Sequence, residues 1–392
     1  MAYDAARGQV VLFGGADTIT GTNFHDTWVW DGANWTQKSP STSPSGTGSQ
    51  AMAYDAARQQ VVMFGGAVGD NVFNTVISSD TWVWDGTTWT QRFPANSPSP
   101  RLGAAMVYDP VRQQVVLFGG GPGSPESFGD TWVWDGNNWT QKFPATSPPA
   151  RSNFGFAFDV ARGQAVLYAG RGDGDTWLND TWVWDGTNWT QKFPATIPTT
   201  PRALHRMAYD ASRQQVVLFG GHGPSNDPLY DDTWVWDGVN WTQKFPASSP
   251  SGRTGHTLAF DEACAEIVLF GGFTGSFADD TWVWGVPSTD PCVIRVEIDI
   301  KPDSFPNSIN LGSGGTVPVA IFSSPSFDAR TIDPLTVSLA GGGHNCSLAR
   351  ENLWQNLRPR GGLRLNSPVI GRVSKGSQSS APSVFILESR VL

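Results

Sequence analysis

Gln114-Val115-Val116-Leu117-Phe118-Gly119-Gly120, followed at 130–134 by Asp-Thr-Trp-Val-Trp, is the stretch whose reading decides the fold. Both parts recur. Phe13-Gly14-Gly15 pairs with 26–30, 64–66 with 80–84, Tyr168-Ala169-Gly170 with 180–184, 219–221 with 232–236, and 270–272 with 280–284. An aromatic-Asp pair precedes each copy, led by Tyr3, Tyr54, Tyr108, Phe158, Tyr209 and Phe260, at spacings of 51, 54, 50, 51 and 51 residues. A repeat of this size is one supersecondary unit that needs its neighbours to bury its faces.

Each unit divides into four short strands. A Met-Ala-Tyr type run ends at a polar turn, and Gln-Val-Val-Leu-Phe is stopped by the glycine doublet. Thr-Trp-Val-Trp ends at Asp-Gly, a tight-turn signal, and Trp-Thr-Gln-Lys runs into a Pro-Ser connection. The second and third strands are apolar on both faces, so both faces must be covered. Repeated four-stranded antiparallel units covered by one another describe a β-propeller, whereas a sandwich alternates more cleanly and lacks the repeat. Eighteen of the 19 Trp fall before residue 285, and no run of apolar residues is long enough to span a bilayer. The formal charge of −9 argues against a nucleic-acid partner.

These residues resemble the kelch-repeat propellers, including those with a galactose oxidase-like fold. The likeness rests on the glycine doublets, the Trp-Val-Trp strands and the Trp at 35, 89, 139, 189 and 241, and it covers residues 1–285. It implies an all-β, six-bladed propeller in which the doublet lets neighbouring chain pack closely and the aromatics fill the space between blades. Ala169 breaks the doublet in the fourth copy, and some local strain is expected there. The sixth copy stops at Trp284-Gly285 without its fourth strand, so an open edge on that blade is expected, together with an upstream segment that once supplied the strand. An N-terminal signal peptide lost by the same truncation fits a secreted or cell-surface protein.

Residues 286–292 read as a linker. Residues 293–340 resemble a small β-sandwich-like module of secreted bacterial proteins, through Ile298-Asp299-Ile300-Lys301-Pro302 and Pro318-Val319-Ala320-Ile321. The acidic continuation expected of such a module is missing: residues 341–392 hold 2 acidic and 7 basic side chains, against 33 and 19 in residues 1–340. This stretch reads as an irregular basic tail, from either a shifted reading frame or a basic binding segment. Cys264 and Cys292 bracket the sixth unit and form a disulfide clamp if the compartment is oxidising, leaving Cys346 over.

A group that recurs in every unit serves the frame, because chemistry needs its group once. Asp26, Asp80, Asp130, Asp180, Asp232 and Asp280 are therefore structural. The turn asparagines of the four Asn-Trp-Thr sequons, Asn34, Asn138, Asn188 and Asn240, are explained by turn chemistry. Function is sought on the variable loops between second and third strands, which strand parity places on one rim with the unit-to-unit connections. Candidate ligand-binding residues there are Phe24, Phe73, Arg171, Trp177 and Tyr230. The series Arg101, Arg151, Arg202 and Arg253, with His205 and His256 as channel lining, joins them. The reading is a monomeric, non-catalytic extracellular or cell-surface binding protein that holds a protein or a glycan by that rim, with no cofactor and no metal. The alternative is a propeller enzyme, glycan-active or resembling the copper-radical oxidases, whose Cys-linked Tyr has no counterpart near His205 and His256.

Overall fold

The computed structural model describes residues 1–17, 21–69, 74, 76–123, 125–224 and 228–285, with the backbone of Ile298–Ile300, Val319–Ile321 and Val369–Gly371. The chain divides into two units, Met1–Val293 and Ile294–Leu392.

The first unit is all-β, built of repeated antiparallel sheets as in a kelch propeller. Sheet three shows the pattern: Ala105–Asp109, Gln114–Phe118, Thr131–Trp134 and Trp139–Lys142 pair in chain order. Trp134 faces Trp139 across the Asp-Gly turn, and Phe118 faces Thr131 at the other end. Sheets one, two and five have the same four strands, and sheet four adds the short strand Arg151–Ser152. Sheet six has three strands among the described residues, Thr257–Asp261, Glu266–Phe273 and Phe277–Trp284. Each first strand lies against the first strand of the next sheet, and Ala2–Asp4 lies against both Ala51–Asp55 and Thr257–Asp261.

Side chains from neighbouring sheets fill the space between them, as the greasy second and third strands require. One core joins Phe118 and Val133 of sheet three to Leu167, Trp184 and Trp189 of sheet four, and the seam between sheets four and five repeats it with Val183, Leu218, Trp236 and Trp241. Three polar contacts also recur across seams. The indole of Trp139 donates to Thr81 Oγ1 of the preceding sheet at 2.9 Å, with Trp89 to Thr27, Trp189 to Thr131 and Trp241 to Thr181 alike. Trp35 makes the same bond to Thr281, from sheet one to sheet six. The hydroxyls of Tyr54, Tyr108 and Tyr209 accept from the turn of the preceding sheet, and Tyr3 accepts from Ala263 at 3.0 Å.

The third contact uses the glycine doublet. Gly66, Gly120, Gly170 and Gly221 each donate N–H to a carbonyl of the next sheet, that of Arg101, Arg151, Arg202 and Arg253, all at 2.9 Å. The residue before each donor is left-handed, Gly119 at φ +64°, and a Cβ on Gly119 would stand 2.5 Å from the Arg151 carbonyl oxygen. Ala169 holds this place in sheet four at φ +58°, a conformation that strains any residue with a Cβ.

In the second unit Ile298–Ile300, Val319–Ile321 and Val369–Gly371 form an antiparallel sheet. The third strand lies inside the stretch read from sequence as an irregular tail, where the β-branched pair Val369-Ile370 suits pairing. The remainder of 293–340 and 341–392 lies outside the described residues.

The doublet gives an asymmetric prediction. Ala169→Gly relieves about 1–2 kcal/mol of left-handed strain, less the roughly 0.4–1 kcal/mol by which a glycine loosens the unfolded chain. Urea denaturation should therefore show a small gain in stability. Gly119→Ala adds the strain and the carbonyl contact, so it should lose about 1–3 kcal/mol. Equal changes for the two variants would refute this account of the doublet.

Candidate functional site

The four arginines read as rim ligands are fully buried. Arg151 places Nη1 and Nη2 on the two carboxylate oxygens of Asp180, at 2.6 and 2.9 Å, and Nη1 also donates to the carbonyl of Ala169. Arg101 with Asp130, Arg202 with Asp232 and Arg253 with Asp280 repeat this fork. The same aspartates accept from the indoles of Trp132, Trp182, Trp234 and Trp282. These arginines staple each sheet to its lead-in segment and present no free guanidinium to a ligand.

Burial pushes the carboxyls of Asp130 and Asp180 up, but the arginine fork outweighs it and holds both below the usual carboxylate range. At Asp280 the Arg253 bond dominates burial, with the same result. Two loop aromatics cap this layer: Phe128 lies over the Arg101 guanidinium at 4.6 Å and Tyr230 over that of Arg202 at 4.7 Å. Tyr230 thus covers a buried cation.

His205 and His256 are also fully buried, and they sit in seams between sheets. The His205 ring meets Tyr168 edge-on at 5.8 Å and the His256 ring meets Phe219 at 5.6 Å. The same position in sheet four is Phe154, packed on Phe118 at 5.7 Å. Both imidazoles are held well below their usual range by burial, with Arg202 and Arg206 adding at His205, and Arg206 and Arg253 at His256; the Tyr168 and Phe219 carbonyls pull weakly the other way. Among the described residues no three His, Cys, Asp or Glu side chains gather as a metal site would need.

On the loops, Trp177 has the Arg171 guanidinium 5.9 Å from its ring and His222 edge-on at 5.0 Å, joining sheets four and five. Trp177 is half-buried, not open for stacking. Phe24 is 44% exposed, and Phe273 and Phe277, edge-on at 5.5 Å, are 37% and 40% exposed. These three border the loop-side end of a cavity of about 1100 Å³ that runs between the first strands. Phe73 lies outside the described residues. Cys264 is disulfide-bonded, and both other cysteines, Cys292 and Cys346, lie outside the described residues.

Two features escaped sequence reasoning. Phe93, Phe143, Phe193 and Phe245, which follow the fourth strands, are 83–84% exposed. Just beyond Phe93, Ala95 donates to Asn138 Oδ1 in the three–four turn of the next sheet, a bond that recurs from Ala145 to Asn188 and from Ala195 to Asn240. Connections and outer turns therefore meet at the perimeter, and the two-rim separation expected from strand parity does not extend there. Sheet twist carries the outer strand across its neighbour. The second feature is Arg206, a cation on the cavity wall. Its signal was present, since aligned units carry Ala51, Ala105, Gly155 and Thr257 at that place.

Residues 87–272 match the family model of the KLHDC2/KLHL20/DRC7 Kelch-repeats domain. This stretch, from the end of sheet two into sheet six, carries Kelch repeats on a propeller-like all-β frame. No curated protein matches the chain. The family match ends before the second unit, and the resemblance of 293–340 to a secreted bacterial module finds no support in it.

The buried groups yield two expectations. Arg151→Met strands Asp180 beside apolar neighbours and should destabilise the fold by about 3–5 kcal/mol, read as a fall in the urea midpoint; an unchanged midpoint would show the fork to be idle. For the histidines the folded value lies below the unfolded one, about 6.5. As pH falls below that value the unfolded chain takes up protons that the fold refuses, so stability drops by about 1.4 kcal/mol per pH unit for each ring. The double variant His205→Phe/His256→Phe, copying Phe154, should flatten the slope between about pH 6.5 and 5. A slope equal to wild type would place the pH dependence elsewhere.

Proposed function

We propose that residues 1–285 form a six-bladed kelch-type propeller that works as a non-catalytic protein-binding module, with the loop-side rim of sheets six and one as its contact surface. Six successive sheets, with Ala2–Asp4 against Thr257–Asp261, support the blade count. Kelch repeats commonly mediate protein–protein contacts, which supports the class of partner.

The observation that carries the contact surface is the exposed cluster Phe24, Phe273 and Phe277 on a frame that buries most of its other aromatics. Exposed aromatics grouped on one surface mark interaction sites, because water-facing rings gain most from a partner that covers them. A protein partner is favoured over a glycan because Trp177, the ring best suited to sugar stacking, is already engaged by Arg171 and His222. Among the described residues no helix is long and apolar enough to cross a membrane. The Cys264 disulfide supports an oxidising, secreted or cell-surface setting.

The test is affinity capture with wild type and with Phe24→Ser/Phe277→Ser, both checked for equal melting temperature. Hot-spot aromatics contribute about 2 kcal/mol or more each, so the bound partner should be lost from the variant and kept by the surface control Val239→Ser. Identical protein sets from wild type and variant would remove this rim as the contact surface.

A further inference from the structure

We propose that the cavity between the first strands is a binding site for a small organic acid with an apolar body, anchored through its carboxylate by Arg206. The wall is mainly apolar, with Met52, Met106, Phe156, Met207 and Leu258 among its side chains. Its volume, about 1100 Å³, exceeds the roughly 300–1,000 Å³ of drug-sized pockets, so a small ligand occupies part of it.

Into this wall one repeat places a guanidinium where the others place small side chains. Arg206 opens the first strand of sheet five, and Nη1 donates to the carbonyl of His205 at 3.1 Å. None of the ion pairs among the described residues includes it. Every repeated arginine in this chain has its carboxylate: the forks just described, and Arg7, Arg58, Arg112, Arg162 and Arg213 in the first turns. Arg206 breaks both the repeat and this pairing rule on the cavity wall.

Arg206 is half-buried, and a partly desolvated cation without a counter-charge weakens the fold; that desolvation pulls its proton affinity down. The histidines on either side cannot supply a counter-charge, and being held neutral they add no further positive charge. The remaining donors of the guanidinium fit the two oxygens of a carboxylate. Met52, half-buried on the wall, is flexible enough to adjust to an apolar body.

The probe is 4-phenylbutyrate, followed by titration calorimetry, with 4-phenyl-1-butanol as its neutral counterpart. Wild type should bind the acid, and bind the alcohol about tenfold more weakly or worse, the ratio expected for one charge-assisted contact. Arg206→Met should lose about the same factor for the acid and nothing for the alcohol. Its melting temperature should equal or exceed wild type, because an unpaired charge is gone. If Arg206→Met does not fold, Arg206→Thr, the residue of sheet six, provides the same comparison. Equal binding of acid and alcohol, an undiminished affinity in the folded variant, or no binding of the acid to wild type would each overturn the proposal.

Discussion

In sheets two to five, the bond from the second residue of the doublet to an arginine carbonyl of the next sheet is the contact on which the repeat depends. Arg151 shows why. Its carbonyl accepts from Gly120 of sheet three, while its guanidinium holds Asp180 and the Ala169 carbonyl of sheet four. One residue therefore fixes the position of two sheets, and Asp180 passes the constraint to Trp182. The first residue of the doublet is left-handed, and a Cβ on Gly65, Gly119 or Gly220 would stand 2.5–2.7 Å from the arginine carbonyl of the next sheet. Burying a guanidinium is expensive unless its donors are matched. The fork and its extra carbonyl engage Nη1 and Nη2, and the carbonyl two residues back takes Nε of Arg101, Arg151 and Arg253 but not of Arg202.

Natural departures show how the frame adjusts. Sheet two has Thr47 where later sheets have the arginine, so Asp80 lacks the fork and is exposed. The small sheet of Thr47–Gly48, Ala67–Val68 and Val76–Ile77 ties down the same segment by backbone pairing instead. Between sheets six and one the seam is made by Trp35 on Thr281 and by Tyr3 on Ala263, yet it is less tightly covered. Val283 there is 51% exposed, against 2% and 3% for its counterparts Val83 and Val183. Local opening starts where burial is poorest, which makes this seam the soft point of the first unit.

The frame was legible in sequence because its requirements are local. Glycine doublets, Trp-Val-Trp and the Asp-Gly turns each state a backbone demand within a few residues. Even so, Gly136 has a second duty that only the fold reveals: Arg58 of the preceding sheet lies where its Cβ would be. The arginine series reads in sequence as a ligand-binding set, whereas the structure engages each guanidinium in a buried fork. Arg151 and Asp180 are far apart in the chain and both recur. The rule that recurrence means scaffold was applied to the aspartates and should have covered the arginines too. His205 and His256 went the same way, since packing against Tyr168 and Phe219 across a seam leaves no trace in either unit alone. Phe154, at their place in sheet four, was the available clue.

That rule, carried through, separates frame from function more sharply than exposure does. Phe93, Phe143, Phe193 and Phe245 are the most exposed aromatics, yet they recur with the unit and sit beside a bond that recurs with it. Exposure at such a place follows from the geometry of the connection, whatever else the rings do. Phe24, Phe273 and Phe277 belong to strand extensions between second and third strands that differ between units, and Arg206 occurs in one unit alone. Both departures border the same cavity. A repeated frame surrounds its axis with equivalent positions, so one substitution there changes the chemistry of the whole cavity without disturbing any seam. The axis is therefore where a single departure from the repeat changes the cavity's chemistry, and Arg206 lines it.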